Sequence, residues 1–342
     1  MFDETLLHWE TLTKLVNDFK PQGTPLLEMG LFPKNQVQGQ QYIVDIVKIN
    51  RTKSHAVGKR ASSVQIAPEV IKRMPVTLAR SFDHVKLDGA TLLNLRNPGS
   101  MQLQRVAADQ VAREVKKMGR RVDYRNEFYM ASAIQGAITD TLDGVSFTAD
   151  YAFPSTHKIT VGGNEMGDGV TLFTAWDDPD ADINADITRI RQQVRADSGF
   201  ELETIVVGPE IMAYVVNNNM VKSYFRGTQE GMAFVKNGMR GQLFGLNWVE
   251  YGATYKDDSN VVQRFLPANV ACFVPAPDPL VSELIEGEDT IPTPNKMDIQ
   301  SIIGRYSYAT ITDDPAGIKL FVGEVSFPVI YVPGAFFKAT VV

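Results

Sequence analysis

Residues 97–144 read NPGSMQLQRVAADQVAREVKKMGRRVDYRNEFYMASAIQGAITDTLDG, and the rest of the chain is organised around them. Asn97-Pro98 is typical of a helix start, because asparagine accepts a hydrogen bond from a free N–H and proline at the first helical position loses none. Asp143-Gly144 is typical of a helix end, since glycine adopts the left-handed conformation without steric cost. Apolar residues recur between them at helical spacing: Val111, Val115, Met118, Val122, Tyr129, Ile134, Ile138 and Leu142.

This pattern predicts one helix over 98–142. Such a helix would be roughly 65 Å long at ~1.5 Å per residue, about twice the span of a small domain. A rod of that length in a soluble chain predicts a flat, extended molecule. Two shorter helices broken near Gly119 are the alternative, because an interior glycine costs about 1 kcal/mol relative to alanine.

The first half of the predicted helix is rich in basic residues, although the formal net charge of the protein is −6. Arg113, Lys116, Arg120 and Arg121 form the core of this basic run. A weak, sequence-independent contact with phosphates is one interpretation. The other is a solvated helix face whose charges pair with acidic residues on the same helix.

Residues 41–82 are predicted to form a long two-stranded β-ribbon. β-branched residues over 42–49 favour the first strand, and 74–80 belong to the second. The polar, basic stretch 50–63 lies between them as the tip. An isolated ribbon is marginally stable in water, so it needs another surface to lie on. We expect an arm that lies on an adjacent subunit; a flexible surface hairpin is the alternative.

The amino-acid composition limits the classes of protein to which the chain can belong. Hydrophobic content of 44% and charged content of 22% are those of an ordinary soluble protein with ample material for a core. The acidic balance argues against a dedicated nucleic-acid binder but allows one basic face. Cys272 is the single cysteine, which excludes a disulfide framework within one chain and suits a reducing cytoplasm. Without a signal peptide or an apolar run of about 20 residues, we expect a soluble protein with no membrane partner.

The remaining segments predict a mixed architecture. A short amphipathic helix is predicted over 2–20. A helix over 181–198 precedes a buried strand over 203–207, which is an α/β pattern. Prolines and acidic residues over 275–294 predict a mobile or irregular loop, and 305–341 returns to strands.

No motif predicts chemistry. There is no HExxH, no GxSxG and no GxGxxG after a strand, and the glycine-rich turn over 162–169 lacks the Lys-Ser/Thr of a P-loop. The four histidines lack partners at metal-ligand spacing: His8, His55, His84 and His157. We therefore predict no catalytic residue, no metal site and no cofactor.

Weak motifs in a specific order indicate a family. They are the ribbon with Ala67-Pro68, EFYMASAIQG at 127–136, Asp177-Asp178-Pro179 before a helix, Val207-Gly208-Pro209-Glu210, FLPAN at 265–269 and SFPVIYVP at 326–333. Their order and spacing resemble those of the lambda-type major capsid proteins of tailed phages, the E family. The resemblance covers nearly the whole chain.

The resemblance implies an α+β chain with the Hong Kong ninety-seven capsid fold. Its parts would be an N-terminal arm (1–40), an extended β-ribbon loop (41–82), a peripheral domain (83–150 plus 300–342) containing the spine helix (98–142), and an α/β axial domain (151–299). The C-terminal strands would be shared between the peripheral and axial domains.

The resemblance also implies a structural protein, not an enzyme. Copies would assemble as hexamers and pentamers into an icosahedral shell. The shell would enclose double-stranded DNA and contact it without sequence specificity. Portal, scaffolding and decoration proteins are further implied partners, and the protein would reside in the virion after assembly in the host cytoplasm. An encapsulin-like nanocompartment shell enclosing cargo enzymes and a soluble α/β enzyme are the alternatives.

This interpretation assigns roles to two sets of residues. The DNA-facing set is the basic run of the long helix, Arg113, Lys116, Arg120 and Arg121. The intersubunit set lies on the ribbon: Tyr42, Ile46, Lys53, His55, Lys59, Arg60 and Ile66.

Overall fold

The computed structural model describes residues 7–48, 70–88, 101–142, 145–160, 174–227, 229, 232, 236, 241–256, 259–292, 299–313 and 316–342. The helices in this part of the chain are α1 Trp9–Asn17, α2 Pro25–Met29, α3 Met101–Ala133, α4 Ile183–Ser198, α5 Pro209–Asn217 and α6 Asn219–Gly227.

Strands make up most of the remainder. The first nine are β1 Lys34–Gln36, β2 Gln41–Val47, β3 Val70–Thr77, β4 Ala79–Asp88, β5 Ala137–Leu142, β6 Val145–Asp150, β7 Lys158–Thr160, β8 Leu202–Val207 and β9 Gly241–Leu243. The others are β10 Leu246–Glu250, β11 Thr254–Lys256, β12 Val262–Arg264, β13 Val270–Pro275, β14 Ser282–Glu286, β15 Glu288–Pro292, β16 Ile299–Ile303, β17 Tyr306–Asp313, β18 Ala316–Ile330 and β19 Phe337–Thr340.

The long strand β18 organises the first sheet. It pairs antiparallel with β4 along one edge and with β17 and then β14 along the other, and β1 extends the sheet beside β14. Leu320 and Val322 of β18 point to one face, where they form a buried cluster with Val115 and Val122 of α3 and Leu12 of α1. The long helix therefore lies along this sheet, with α1 beside it.

Helix α3 confirms the prediction of a long helix but corrects its end. It runs unbroken through Gly119, so the alternative of a break there is wrong. It ends at Ala133, whereas the prediction extended it to 142. Ile138 lies in β5, which forms a hairpin with β6, because Gly136 reverses the chain at φ +103° and β-branched residues favour a strand after it. The predicted start signal Asn97-Pro98 and stop signal Asp143-Gly144 lie outside the described residues.

Gly119 has a packing role in the middle of this helix. A β-carbon at this position would lie 3.0 Å from Cγ2 of Val16 on α1. The missing side chain therefore lets α1 approach the backbone of α3 closely. The predicted N-terminal helix over 2–20 is shorter in the structure, where α1 covers 9–17 and residues 2–6 lie outside the described part.

The second sheet forms the core of an α/β unit. Its strand order is β7-β19-β13-β8-β10-β9, with β8 and β10 parallel and β13 antiparallel to β8. The predicted helix over 181–198 is confirmed as α4, which Asp182 caps by accepting a hydrogen bond from the N–H of Ala185 at 2.9 Å. Gly199, in the left-handed conformation, ends it.

The prediction of an irregular loop over 275–294 is wrong for residues 282–292, which form β14 and β15. Of the acidic residues in this stretch, Glu286 and Asp289 are buried and paired, while Glu283 and Glu288 are half-buried and accept hydrogen bonds. Glu286 binds the ammonium of Lys34 at 2.5 Å, and Asp289 binds Nε of Arg80 at 2.7 Å. Composition misled the prediction because paired acidic residues can be buried in a sheet.

Candidate intersubunit and DNA-facing surfaces

The base of the predicted ribbon is a two-stranded antiparallel sheet of β2 and β3, in which Tyr42 lies opposite Val76 and Ile43 opposite Pro75. The strand after Leu78, β4, leaves the ribbon and joins the first sheet. Five residues of the predicted intersubunit set lie outside the described residues, so their contact stays a prediction: Lys53, His55, Lys59, Arg60 and Ile66.

The two faces of the ribbon base have different surroundings. Side chains alternate along β2, so that Val44 and Ile46 are fully buried in the protein's own core. Ile43, on the other face, is 66% exposed. The prediction that Ile46 contacts a neighbouring subunit therefore needs correction, because Ile46 is 0% exposed, and Ile43 takes its place as the available apolar residue.

Tyr42 is half-buried and contacts its own chain. Its hydroxyl lies 3.0 Å from the hydroxyl of Tyr331, which donates to Glu283 Oε2 at 2.8 Å. Burial and these hydrogen bonds raise the pKa of Tyr331 well above its ordinary value. Tyr42 thus ties the ribbon base to the carboxyl end of β18.

Hydrogen bonds also hold the start of the ribbon, just before β2. The N–H of Gly39 donates to Glu288 Oε2 at 3.0 Å, and the N–H of Glu288 donates to the carbonyl of Gly39 at 3.1 Å. Hydrogen bonds from Ser301 and Gly39 lower the pKa of Glu288. A β-carbon on Gly287 would overlap Cδ1 of Leu78. The start of the hairpin that β15 and β16 form therefore packs directly against the ribbon base.

The four basic residues of α3 have unequal surroundings. Arg113 is exposed to solvent. Nζ of Lys116 lies 4.9 Å above the ring of Phe19, and Arg120 donates to Gln22 Oε1 at 2.7 Å. The last, Arg121, pairs with Asp83 of β4 at 2.9 Å. Three of the four thus contact other parts of the chain, although Arg121 is still largely exposed, with 72% of its side chain open to solvent.

Glu127 of α3 joins three parts of the molecule, and no local signal in the sequence marked it for this role. It is 0% exposed. Its carboxylate accepts hydrogen bonds from the N–H groups of Leu26 at 2.9 Å and Leu27 at 3.0 Å, in the first turn of α2. It also accepts one from the hydroxyl of Tyr251, which follows β10, at 2.7 Å.

This carboxylate replaces the usual cap of α2. Thr24 occupies the N-cap position, yet its buried hydroxyl has no hydrogen-bond partner in the described structure. Glu127 accepts hydrogen bonds from the free N–H groups instead and places a negative charge at the positive end of the helix. Burial raises the pKa of Glu127, although the three hydrogen bonds oppose the shift.

A second buried network fastens α3 to the sheet. Arg305 binds Asp123 of α3 at 2.7 Å and Glu324 of β18 at 2.6 Å, and Asn126 donates to Glu324 at 2.7 Å. Burial would raise the pKa of Glu324, but the charges of Arg305 and Lys34 and the hydrogen bonds from Arg305 and Asn126 together outweigh it, and the net shift is downward. Removing one member would leave an uncompensated buried charge, which is strongly destabilising.

The described residues contain no cluster of three or more His, Cys, Asp or Glu able to hold a metal ion. Cys272 is fully buried, and burial raises the pKa of its thiol to about 12, which makes it a poor nucleophile. Within the same part of the chain, no helix is both long and apolar enough to cross a bilayer.

A ribbon base, a long helix on a sheet and an α/β unit are together the architecture of Hong Kong ninety-seven-type capsid proteins. Solved structures share it. The putative capsid protein of a prophage of E. coli CFT073 superposes with a TM-score of 0.63 at 16% identity, covering 96% of this chain and 95% of that one. A phage-related protein from Bordetella bronchiseptica RB50 gives 0.59 at 13% identity, with 96% of each chain covered. The mature capsid of bacteriophage PhiM1 gives 0.52 at 12% identity, covering 94% and 87%.

The sequence identifies the family within that class. The model of the family described as phage major capsid protein E matches residues 8–341, so the chain belongs to this family and is the major capsid protein of a tailed phage. No curated protein sequence matches it significantly. The prediction of a lambda-type, E-family capsid protein is confirmed.

Proposed function

We propose that the ribbon over 41–82 joins neighbouring subunits as hexamers and pentamers of an icosahedral shell around double-stranded DNA. The observation that carries this is the two-sided base of the ribbon. Val44 and Ile46 bury one face, while Ile43 is exposed on the other beside the exposed pair of Arg73 and Asp45, which lie 3.1 Å apart. An adjacent subunit would bury Ile43, as would be expected of a repeated interface between copies.

The second part of the proposal is that the α3 side of the subunit faces the packaged DNA. Arg113, Lys116, Arg120 and Arg121 lie on this side, and Lys117 adds a further exposed cation. Such residues contact phosphates without reading sequence, which suits a shell that encloses any genome segment. Asp83 offsets part of the charge of Arg121, and Gln22 occupies one hydrogen-bond donor of Arg120, so the contact is expected to be weak.

The proposal extends to the role and partners of the protein. Its function is structural, without catalysis, and the parts at 1–40, 41–82, 83–150 plus 300–342, and 151–299 act as arm, ribbon, peripheral domain and axial domain. Portal, scaffolding and decoration proteins are its proposed partners, and assembly takes place in the host cytoplasm. The family match favours this role over an encapsulin-like shell and over a soluble enzyme.

Replacement of the ribbon tip tests the first part of the proposal, the contact between neighbouring subunits. Replacing Lys53–Arg60 with a glycine-serine linker of equal length keeps the length of the segment between β2 and β3 but removes its basic residues. We expect soluble, folded subunits that form no shells, as seen by size-exclusion chromatography and electron microscopy. The matched control also removes three positive charges, with Lys222→Gln and Arg226→Gln on the exposed face of α6 and Lys236→Gln at another exposed position, and should assemble normally. Normal shells from the tip variant would contradict the proposal.

A further inference from the structure

The first sheet has a face that the described elements cover only at one end, where Asp289 of β15 contacts Arg80 and buried Tyr306. Residues of β4, β18 and β17 alternate between two sides, and one side packs on α3 and α1 through Leu87, Leu320 and Val322. The opposite side presents Phe82 of β4 and Tyr308 of β17. Its further members are Arg80, His84, Lys86, Lys319, Phe321 and Thr310.

Three aromatic rings form a slab across this face. Phe82 stacks on Phe321 with 5.4 Å between ring centroids, and Phe321 stacks on Tyr308 at 4.8 Å. The guanidinium carbon of Arg80 lies 4.1 Å above the ring of Phe82. Phe82 is nevertheless 37% exposed, so the slab still offers apolar surface to a partner.

Cations border the slab. Lys86 and Lys319 lie directly opposite each other on neighbouring strands, with His84 two positions along β4. Like charges in a cross-strand pair destabilise a sheet. The buried carboxylate of Asp289 pairs with Arg80 at the other end of the face. The two lysines are thus a cationic pair next to exposed aromatic surface, which is favourable when a partner supplies the anion.

We infer that this face is a docking surface on the outer side of the shell for an extended, acidic segment of a separate protein that carries aromatic or aliphatic side chains. The outward placement rests on the proposed function, because this face lies opposite the α3 side assigned to DNA. Charge complementarity selects an acidic segment, and it excludes the ribbon tip of a second copy, because 50–63 contains four Lys and Arg and no acid.

A protein segment fits the face better than duplex DNA does. A duplex presents phosphates and keeps its bases stacked inside, so the slab of Phe82, Phe321 and Tyr308 would gain nothing from it. An extended segment with acidic and apolar residues at every second position would place both on one side. Its acids would lie near Lys86 and Lys319 while its rings or branched side chains cover the slab.

Single-cysteine labelling tests the outward placement. Thr310→Cys marks the sheet face and Asp109→Cys marks the α3 side, one turn from Arg113, while buried Cys272 gives little background. A maleimide on a polymer too large to enter a shell should label Thr310→Cys in intact particles and Asp109→Cys only after dissociation. The reverse pattern would overturn both the inference and the DNA-facing proposal. Protection of both cysteines in intact shells of this chain alone would show that a second copy covers the sheet face, and would overturn the inference while leaving the proposed function standing.

Peptide binding to intact shells tests the chemistry. The probe is a short fluorescent peptide with glutamate and phenylalanine alternating at every second position and serine between them. Lys86→Gln with Lys319→Gln should weaken its binding about tenfold, and reversal of both charges to glutamate should abolish it. The control Lys222→Glu on α6 should bind as the unmodified protein does. Unchanged binding by the two sheet-face variants, equal binding of the peptide with lysine in place of glutamate, or outer-surface binding of duplex DNA that is lost in the same variants would each overturn the inference.

Discussion

The carboxylate of Glu127 accepts a hydrogen bond from the N–H of Leu26 across 2.9 Å, although the two residues are 101 positions apart in the sequence. Since Leu27 and Tyr251 donate to the same group, one buried side chain links the N-terminal segment, the long helix and the α/β unit. These hydrogen bonds place the N-terminal segment on its own subunit, at least as far as α2.

Replacing Glu127 should therefore loosen α2 from α3. Glu127→Gln keeps the shape of the side chain, but its NH₂ group must face one of the donors, so we expect a loss of about 1–3 kcal/mol in the free energy of unfolding. Hydrogen exchange should increase at Leu26 and Leu27. Glu203→Gln, at an exposed position of β8, is the control and should change stability by less than about 0.5 kcal/mol. Equal stability of the two variants would show that the buried carboxylate contributes nothing.

The close approach of Gly119 and Val16 predicts a non-additive pair. Gly119→Ala gains helix propensity of about 1 kcal/mol, but its β-carbon meets Cγ2 of Val16 at 3.0 Å. In the background of Val16→Ala, which removes that methyl group, the same substitution should stabilise the protein by most of this amount. Denaturant unfolding of the two single variants and the double variant measures the coupling. Additive effects within error would mean that α1 does not need the glycine.

Ile43 and Ile46 should separate assembly from stability. Ile43→Lys changes an exposed residue, so we expect the free energy of unfolding to change by less than about 1 kcal/mol while shell formation fails. Ile46→Ala empties a buried site and should cost about 2–5 kcal/mol in unfolding free energy. Calorimetry measures the stability of both variants, and electron microscopy shows whether each of them forms shells. Shells from Ile43→Lys at the normal yield would remove this residue from the interface.

A structural feature could be predicted from the sequence where the residues that determine it are close together in the chain. Asp182 and Gly199 flank α4 in the sequence, so its position was predictable within two residues. The end of α3 was not, because Ile138 fits both a helical repeat and the alternation of β5. Glu127 and Asp289 could not be placed at all: their partners Leu26 and Arg80 are 101 and 209 positions away, and an acidic residue without a visible partner resembles a solvated one.

The proposed binding of DNA should depend on the exposed cations of α3. Arg113→Gln together with Lys117→Gln should lower the affinity of dissociated subunits for duplex DNA. The slope of log affinity against log salt should fall by about one for each phosphate that the variant no longer neutralises. The thermal stability of the variant should stay near that of the unmodified protein, since both side chains are exposed. Lys222→Gln together with Arg226→Gln, which also removes two exposed cations, is the control for charge alone. An unchanged salt slope would remove the α3 side from DNA binding.

Asp186 predicts how stability depends on pH. The residue is buried in the first turn of α4, where it accepts a hydrogen bond from Nε1 of Trp176 at 3.1 Å. Burial raises its pKa from 3.8 to about 6, against the opposing effects of that hydrogen bond and of Arg189. The folded state therefore keeps a proton that the unfolded state releases. Its stability should fall as pH rises from about 4 to 6, because the unfolded state then binds fewer protons than the folded state.

Asp186→Asn tests this sign directly, because asparagine resembles the protonated acid and cannot ionise. At about pH 7 the variant should be more stable than the unmodified protein by about 2 kcal/mol, somewhat less than a shift of two pKa units would give at about 1.4 kcal/mol each. At about pH 3 the difference should nearly vanish, since the acid is then largely protonated in the folded and in the unfolded state. Chemical denaturation at the two pH values measures it, with exposed Asp177→Asn as the control. A variant less stable by the same amount at both pH values would show that the ionised carboxylate carries no penalty in the fold.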